Sequence, residues 1–100
     1  MVRHIVSWNF KPEVTPERRE ELHKELAEKF TALVGKIPGL TKVEVGMPPL
    51  GSSNCELALY CEMEKESDIP VYRDHPEHQA IATIVRANCE GRRCVDLLSK

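Results

Sequence analysis

Residues 72–79, YRDHPEHQ, place a phenol and two imidazoles at three-residue intervals around a proline. Tyr72, His75 and His78 are the groups in this stretch that can exchange protons, and the imidazoles can also bind metal. An imidazole titrates near neutral pH and suits general acid–base catalysis, whereas a phenol stays protonated and donates a hydrogen bond. The stretch therefore indicates either a working site or the start of a helix that happens to contain histidines.

The apolar periodicity after residue 75 places His78 on the buried side of a helix. Asp74 and Glu77 have the D-x-x-E spacing of a capping box, which predicts a helix starting at His75 or Pro76. Counting back by three from Ile81 puts His78 on the apolar stripe that faces the sheet. The other members of that stripe are Ala82, Val85 and Cys89.

A second histidine is predicted to reach the same space from the first strand. His4 lies on the more hydrophobic of the two strand faces, which it shares with Val6, Trp8 and Phe10. Burying an imidazole without a hydrogen-bond partner costs roughly 1–3 kcal/mol, so one buried histidine is most often a satisfied core residue. For two histidines that converge beside Tyr72, a functional site and a structural role are equally good explanations.

The elements that must position these groups alternate between strand and helix. A strand is predicted at residues 2–10, and Thr15 and Pro16 predict the N-cap and first position of an amphipathic helix. Its stripe is Leu22, Leu26, Phe30, Leu33 and Ile37. Further on we expect a strand at about Leu40–Met47, a loop at Pro48–Asn54, a strand at about Cys55–Met63, a short helix capped by Ser67, a helix to about Asn88, and a strand at Arg92–Leu98.

This β-α-β-β-α-β order predicts a ferredoxin-like α+β sandwich, an antiparallel sheet with helices on one face. The other face of the sheet carries Ile5, Ala58 and Tyr60 among polar side chains. Because exposed apolar patches usually mark interfaces, a second copy of the chain is predicted to cover that face.

Several alternatives remain open at this stage. The H-x-x-H pair of His75 and His78 could share a metal with His4 or Glu77, but Glu77 should point away from the sheet, so no metal is predicted. His75 alone is explained as a first-turn residue, Tyr72 as a core aromatic whose hydroxyl reaches the surface, and Trp8 as core filler. His23, one position off the apolar stripe, is expected to be solvated.

The four cysteines have no C-x-x-C spacing and are expected to be reduced thiols; they are Cys55, Cys61, Cys89 and Cys94. A zinc site formed by Cys89, Cys94 and a histidine is a weaker alternative. A haem site is prompted by Trp8 and Asn9 near a histidine, but alternation puts these two residues on opposite faces. No cofactor is therefore predicted.

Length and charge limit the remaining classes of function. The chain has 100 residues, predicted to form one domain over residues 1–100, and its net charge is −2. Its basic residues are dispersed among acidic ones, which argues against nucleic acid as a partner. The N-terminal sequence resembles neither a signal peptide nor a membrane span, so we expect no membrane association and a cytoplasmic location.

Three segments resemble the stress-responsive A/B barrel domain (Dabb) family. They are VRHIVSWNFKPEVT at residues 2–15, GKIPGLTKVEVG at 35–46 and YRDHPEHQA at 72–80. The resemblance spans nearly the whole chain and implies a ferredoxin-like fold. It also implies that two copies pair sheet to sheet as a dimeric α+β barrel, a homodimer.

The same resemblance implies residue roles, because a plant member of the family is a polyketide cyclase. Its catalytic groups match His4, Tyr72 and His78: His78 would be the general base, Tyr72 a hydrogen-bond donor to a carbonyl oxygen, and His4 an orienting group. The ligand pocket is expected to be lined by His75, Val6, Trp8, Met63 and Ile81. Two functions stay open: a protein without turnover that binds a small, mostly apolar ligand, and a cyclase- or lyase-like enzyme.

Overall fold

The computed structural model describes residues 1–46 and 49–99. Along the chain it contains β1 (Val2–Phe10), α1 (Pro16–Thr31), β2 (Leu40–Gly46), β3 (Leu57–Met63), α2 (Asp68–Asp74), α3 (Pro76–Asn88) and β4 (Cys89–Leu98). The strands form one antiparallel sheet in the order β2-β3-β1-β4. The predicted ferredoxin-like α+β fold is confirmed, and none of the helices in the described ranges is long and apolar enough to cross a membrane.

The N-terminal cap of α1 forms as predicted. The Thr15 hydroxyl accepts a hydrogen bond from the backbone N–H of Arg18 at 3.2 Å, and Pro16 occupies the first turn. The helix ends at Thr31, although the apolar repeat continues through Leu33 and Ile37, which remain buried in the turns that follow. The side chains that the helix buries are Leu22, His23, Leu26 and Phe30.

Strand β1 lies at the centre of the sheet and fixes which side chains meet on each face. On the face covered by helices, His4 is directly opposite Asp96 of β4, and on the other face Ile5 is opposite Val95. The inner face of β1 is buried throughout, whereas β4 is exposed from Glu90 to Leu98. The helices therefore cover β1 but leave the edge strand β4 uncovered.

Two predicted strand boundaries differ from the structure, and a third cannot be compared. Strand β3 begins at Leu57, not at Cys55, because its pairing with β1 stops where Leu57 faces Trp8. Strand β4 begins at Cys89, not at Arg92, because Cys89 already pairs with Phe10. Met47 and Pro48, the predicted end of β2 and start of the loop, lie outside the described residues.

Both helices predicted after β3 exist, with Ser67 at the N-cap position of α2 and α3 starting at Pro76 as predicted, but the side-chain capping contacts differ from those expected. The Ser67 side chain forms no capping hydrogen bond; the Asp68 carboxylate instead accepts one from the backbone N–H of Lys65 at 3.0 Å. The cap of α3 is His75, whose Nδ1 accepts a hydrogen bond from the Glu77 backbone N–H at 3.1 Å. Asp74 belongs to α2, so it does not form the expected capping box.

His23 is buried, not solvated as expected, with 7% of its surface exposed. The end of β1 lies over this side of α1, and the ring packs edge-on against Phe10 with centroids 5.6 Å apart. Its Nε2 has no hydrogen-bond partner among the described residues. The periodicity of α1 does not predict this burial, because it results from the tertiary contact between α1 and the end of β1.

Candidate functional site

A cavity of about 330 Å³ lies between the inner face of the sheet and the helical region. Its floor comes from β1 and β3, its opposite wall from α2 and α3, and one side from the uncovered strand β4. The residues that line it are His4, Val6, Trp8, Phe30, Leu59, Tyr72, Arg73, His78, Gln79, Ala82, Val85, Arg86 and Arg92. The predicted convergence of His4, Tyr72 and His78 is therefore present in the structure.

His4 is held by the neighbouring strand. Its Nδ1 lies 2.5 Å from Oδ1 of Asp96, the residue directly opposite on β4, and the imidazole is 6% exposed. An ionised carboxylate only accepts hydrogen bonds, so Nδ1 of a neutral His4 carries the hydrogen and Nε2 keeps its lone pair. The ring meets Tyr72 edge-on, with centroids 5.5 Å apart.

His78 is held by the backbone at the end of α2. Its Nδ1 lies 3.0 Å from the carbonyl oxygen of Arg73, and a carbonyl only accepts, so the hydrogen of the neutral ring is on Nδ1. Burial lowers the pKa of His78 below its usual value; the hydrogen bond to the Arg73 carbonyl opposes this effect, and the positive charges of Arg92 and Arg86 lower the pKa further. The site thus holds a neutral imidazole whose Nε2 is free to accept a proton.

Tyr72 lies between the two histidines. It is 2% exposed, and its ring centroid is 4.3 Å from that of His78, so its hydroxyl does not reach the surface. Burial raises the pKa of the phenol, and burial also raises the pKa of the Cys61 thiol to about 12. The Cys61 Sγ lies 3.9 Å from the phenol oxygen and donates to it, which leaves the phenol hydrogen for another acceptor.

The five predicted lining residues divide between the cavity and its surroundings. Val6 and Trp8 line it. His75, Met63 and Ile81 do not: His75 caps α3, Met63 is fully buried at the end of β3 where it pairs with Val2, and Ile81 lines a separate groove between α1 and α3. The apolar stripe of α3 faces the cavity with some of its residues and α1 with others. Sequence periodicity does not show which residue faces which.

Four charged residues near the histidines were not predicted. Arg73, Arg86 and Arg92 line the cavity, and Asp96 holds His4. Strand alternation does place Arg92 and Asp96 on one face of β4. Recognising them required the register between β1 and β4, which the sequence does not contain.

One group of side chains has donor atoms suited to a metal ion. Atoms of His4, Cys94 and Asp96 all lie within 4.8 Å of one another, and imidazole, thiolate and carboxylate are all ligands of zinc. The hydrogen bond between His4 and Asp96 already satisfies both groups. The cluster therefore also has a complete explanation as a device that orients the imidazole of His4.

Comparison with known proteins identifies the family of this chain and solved structures similar to it. The family model described as Stress Responsive A/B Barrel Domain (Dabb) matches residues 2–99. The chain is similar to a dimeric ferredoxin-like protein of unknown function from Bacteroides fragilis, with 33% identity, 96% of this chain and 93% of that chain covered, and a TM-score of 0.88. No curated protein sequence matches it significantly.

Two further solved structures share the fold at lower identity. A dimeric ferredoxin-like protein of unknown function from Thermobifida fusca has 26% identity, covers 96% of this chain and 88% of its own, and has a TM-score of 0.78. The hydroxynitrile lyase from Passiflora edulis has 12% identity, coverage of 99% and 93%, and a TM-score of 0.75. At that identity the likeness to the lyase concerns the fold alone.

We predict opposite tautomers for the two histidines of the H-P-x-H sequence. In ¹⁵N NMR spectra near neutral pH, His78 should carry its hydrogen on Nδ1, because that atom faces the Arg73 carbonyl. His75 should carry its hydrogen on Nε2, because its Nδ1 accepts from a backbone N–H. His78 should also titrate below 6.5, its usual value.

The same titration has a consequence for stability that can be measured in parallel. As the pH falls, the unfolded chain takes up a proton at His78 before the folded chain does, because the pKa of His78 is lower in the folded state. The contribution of His78 to the free energy of unfolding is therefore fully present above pH 6.5 and is lost as the pH falls through the folded-state pKa. Replacing His78 with Gln should make the free energy of unfolding, measured by urea denaturation, less dependent on pH in this range. An Nε2–H tautomer for His78, or a midpoint above that of the free side chain, would contradict the geometry.

Proposed function

This chain belongs to the stress-responsive A/B barrel domain family, and we propose that it binds a small, mostly apolar ligand in the cavity that contains His4, Tyr72 and His78. The observation that carries the proposal is the cavity itself, whose apolar walls surround three convergent polar groups. Ligand sites are concave and mostly apolar, with a few polar groups that orient the ligand.

The size and composition of the cavity support a small ligand. Its volume of about 330 Å³ lies near the lower end of the range for small-molecule sites, about 300–1,000 Å³. Apolar contacts come from both the sheet and the helices, through Val6, Trp8, Phe30, Leu59, Ala82 and Val85. Trp8 is 7% exposed, so it forms part of the wall and does not fill the cavity completely.

We predict that filling the cavity abolishes ligand binding without unfolding the protein. In a thermal-shift screen of diketides and aromatic acids, a ligand at about 100 times its Kd stabilises the folded state by about 2.7 kcal/mol. For a domain of this size that should raise Tm by roughly 10 °C. Ala82→Phe should remove the shift, because residue 82 lines the cavity.

The matched control is Ala80→Phe, an exposed position on the same helix that lies outside the cavity lining. It should retain the full ligand-induced shift. Equal shifts in both variants would place the ligand elsewhere and would refute the proposed site, provided that circular dichroism shows both variants folded.

A second candidate function, proton transfer at a carbonyl compound, is favoured by the free Nε2 of His78 beside the Tyr72 phenol. His78 would take a proton from the carbon next to a carbonyl, and Tyr72 would donate a hydrogen bond to the resulting enolate oxygen. The enolate carbon would then attack a second carbonyl of the same molecule. The proton held by His78 would pass to the alkoxide formed there, which completes an aldol-type ring closure or, in reverse, a lyase reaction.

We predict that the protein accelerates exchange of the α-hydrogens of bound ketones for deuterium, measured by NMR. His78→Ala should slow the catalysed exchange by about 10²–10⁴-fold, the usual contribution of a general base. Tyr72→Phe should slow it by about 10²-fold or more while binding persists, because it removes only the donor to the enolate. Lys24→Ala is the control, since Lys24 is a titratable side chain exposed on α1 and outside the cavity lining. Exchange rates unaffected by loss of His78 would exclude this chemistry.

The outer face of the sheet supports a homodimer as the working form. Val95 and Leu97 are each 46% exposed on that face, beside Ile5 of β1. The similar proteins from Bacteroides fragilis and Thermobifida fusca are described as dimeric. We therefore propose that a second copy of the chain packs on this face, sheet against sheet.

We predict that Val95→Glu converts the dimer into a monomer, as measured by light scattering on a chain of 11.4 kDa. A carboxylate in the centre of an apolar interface loses its hydration without gaining a partner. Val34→Glu is the matched control, because Val34 is similarly exposed, at 40%, but follows α1 on the opposite side of the sheet. A monomeric wild type at low micromolar concentration would refute the interface.

A further inference from the structure

The charged residues in the cavity lining are all cationic. Arg73, Arg86 and Arg92 line the cavity, and the lining contains no aspartate or glutamate. The whole chain has more acidic than basic residues, 16 against 14, so this asymmetry does not reflect composition. An apolar cavity with only cationic charges on its walls favours a ligand with a negative charge.

The three arginines differ in whether a carboxylate already neutralises them. The Arg73 guanidinium donates two hydrogen bonds to Asp74, at 3.0 and 3.1 Å. Within residues 1–46 and 49–99, Arg86 and Arg92 form no ion pair, and Arg92 contacts the Cys94 thiol instead. Two guanidinium groups therefore remain available to an incoming anion.

The carboxylates nearest to this region are engaged elsewhere. Asp96 is bonded to His4, and Glu77 lies 3.4 Å from the ammonium group of Lys36 on the side of α3 that faces α1. Neither is free to compete with a ligand for the arginines. Asp96 keeps its negative charge beside a neutral His4, but the two available arginines outnumber it, so a net positive charge remains at the cavity.

The two available arginines lie on different walls of the cavity, close to the acid–base groups. Arg86 is near the end of α3 and Arg92 is on the inner face of β4. Both lower the pKa of His78 through their positive charge, and Arg92 also lowers that of Tyr72, so both charges are felt where the polar groups meet. An anion between the two walls would lie beside His78.

We infer that the ligand is an amphipathic carboxylate, with its apolar body against Trp8 and Val85 and its carboxylate between Arg86 and Arg92. This inference rests on the proposed ligand-binding function and adds the chemical class of the ligand. A guanidinium group matches the planar carboxylate with two parallel hydrogen bonds, and the small apolar cavity suits a compact acid. A phosphate would use the same arginines, so the experiment includes it.

The test is isothermal titration calorimetry with matched acids and amides at neutral pH and low ionic strength. The probes are octanoate with octanamide, and 4-phenylbutanoate with 4-phenylbutanamide, each pair nearly identical in shape and different in charge. Wild-type protein should bind the acids about tenfold more tightly than the amides, which corresponds to about 1.4 kcal/mol. Inorganic phosphate is titrated separately and as a competitor.

Substitution of the arginines tests whether Arg86 and Arg92 cause the preference for acids over amides. R86Q/R92Q should bind acids and amides with equal affinity, because the charge that distinguishes the acid no longer has a partner. R18Q/K24Q is the charge-matched control, because it also removes two positive charges but from α1, outside the cavity lining. It should retain the tenfold preference.

Each other outcome overturns a different statement. If wild type binds acids and amides equally, and Ala82→Phe binds neither, the carboxylate inference is overturned and the proposed binding function stays intact. Binding of neither class overturns both. Phosphate binding more tightly than the acids and displacing them overturns the carboxylate class in favour of a phosphorylated ligand.

Discussion

The break between α2 and α3 is the feature on which the cavity depends. In a continuous helix the Glu77 N–H would bond to the carbonyl of Arg73 four residues earlier. Here Pro76 interrupts the helix, and the Glu77 N–H is capped by Nδ1 of His75. The Arg73 carbonyl is thereby released, and it accepts from Nδ1 of His78. The capping of α3 and the orientation of the candidate base are therefore one arrangement, so the choice between helix start and working site posed by the sequence is not exclusive.

Sequence periodicity was sufficient for elements whose burial follows from their own pattern. The alternation of β1 placed His4 on the inner face, and the stripe of α3 placed His78 opposite it, so their convergence could be predicted without the structure. What could not be predicted depends on the register or packing between distant segments. Asp96 meets His4 only because β4 pairs with β1 in one register, and His23 is buried only because the end of β1 lies over α1. The cap of α3 was misassigned because an imidazole fulfilled the role expected of Asp74.

Strand β4 differs from the other strands because neither of its faces contributes to the core beyond Cys89. Its inner side chains include Arg92, which lines the cavity, and Asp96, which is hydrogen-bonded to His4. Its outer side chains, including Val95 and Leu97, form the apolar surface proposed to meet a second copy. An edge strand that exposes both faces normally invites unwanted pairing. The proposed ligand-binding role of one face and the proposed dimer interface on the other would together account for its mixed composition.

The cationic wall and the neutral base are linked by electrostatics. Burial lowers the pKa of His78, and the positive charges of Arg92 and Arg86 lower it further, so all three favour the unprotonated imidazole. A carboxylate placed between them offsets that positive field, so its arrival raises the proton affinity of His78. By linkage, protonation of His78 strengthens binding of the anion by the same factor. The base would thus hold a proton most readily when the anionic ligand is bound, and a neutral analogue, which leaves the field in place, would lack this coupling.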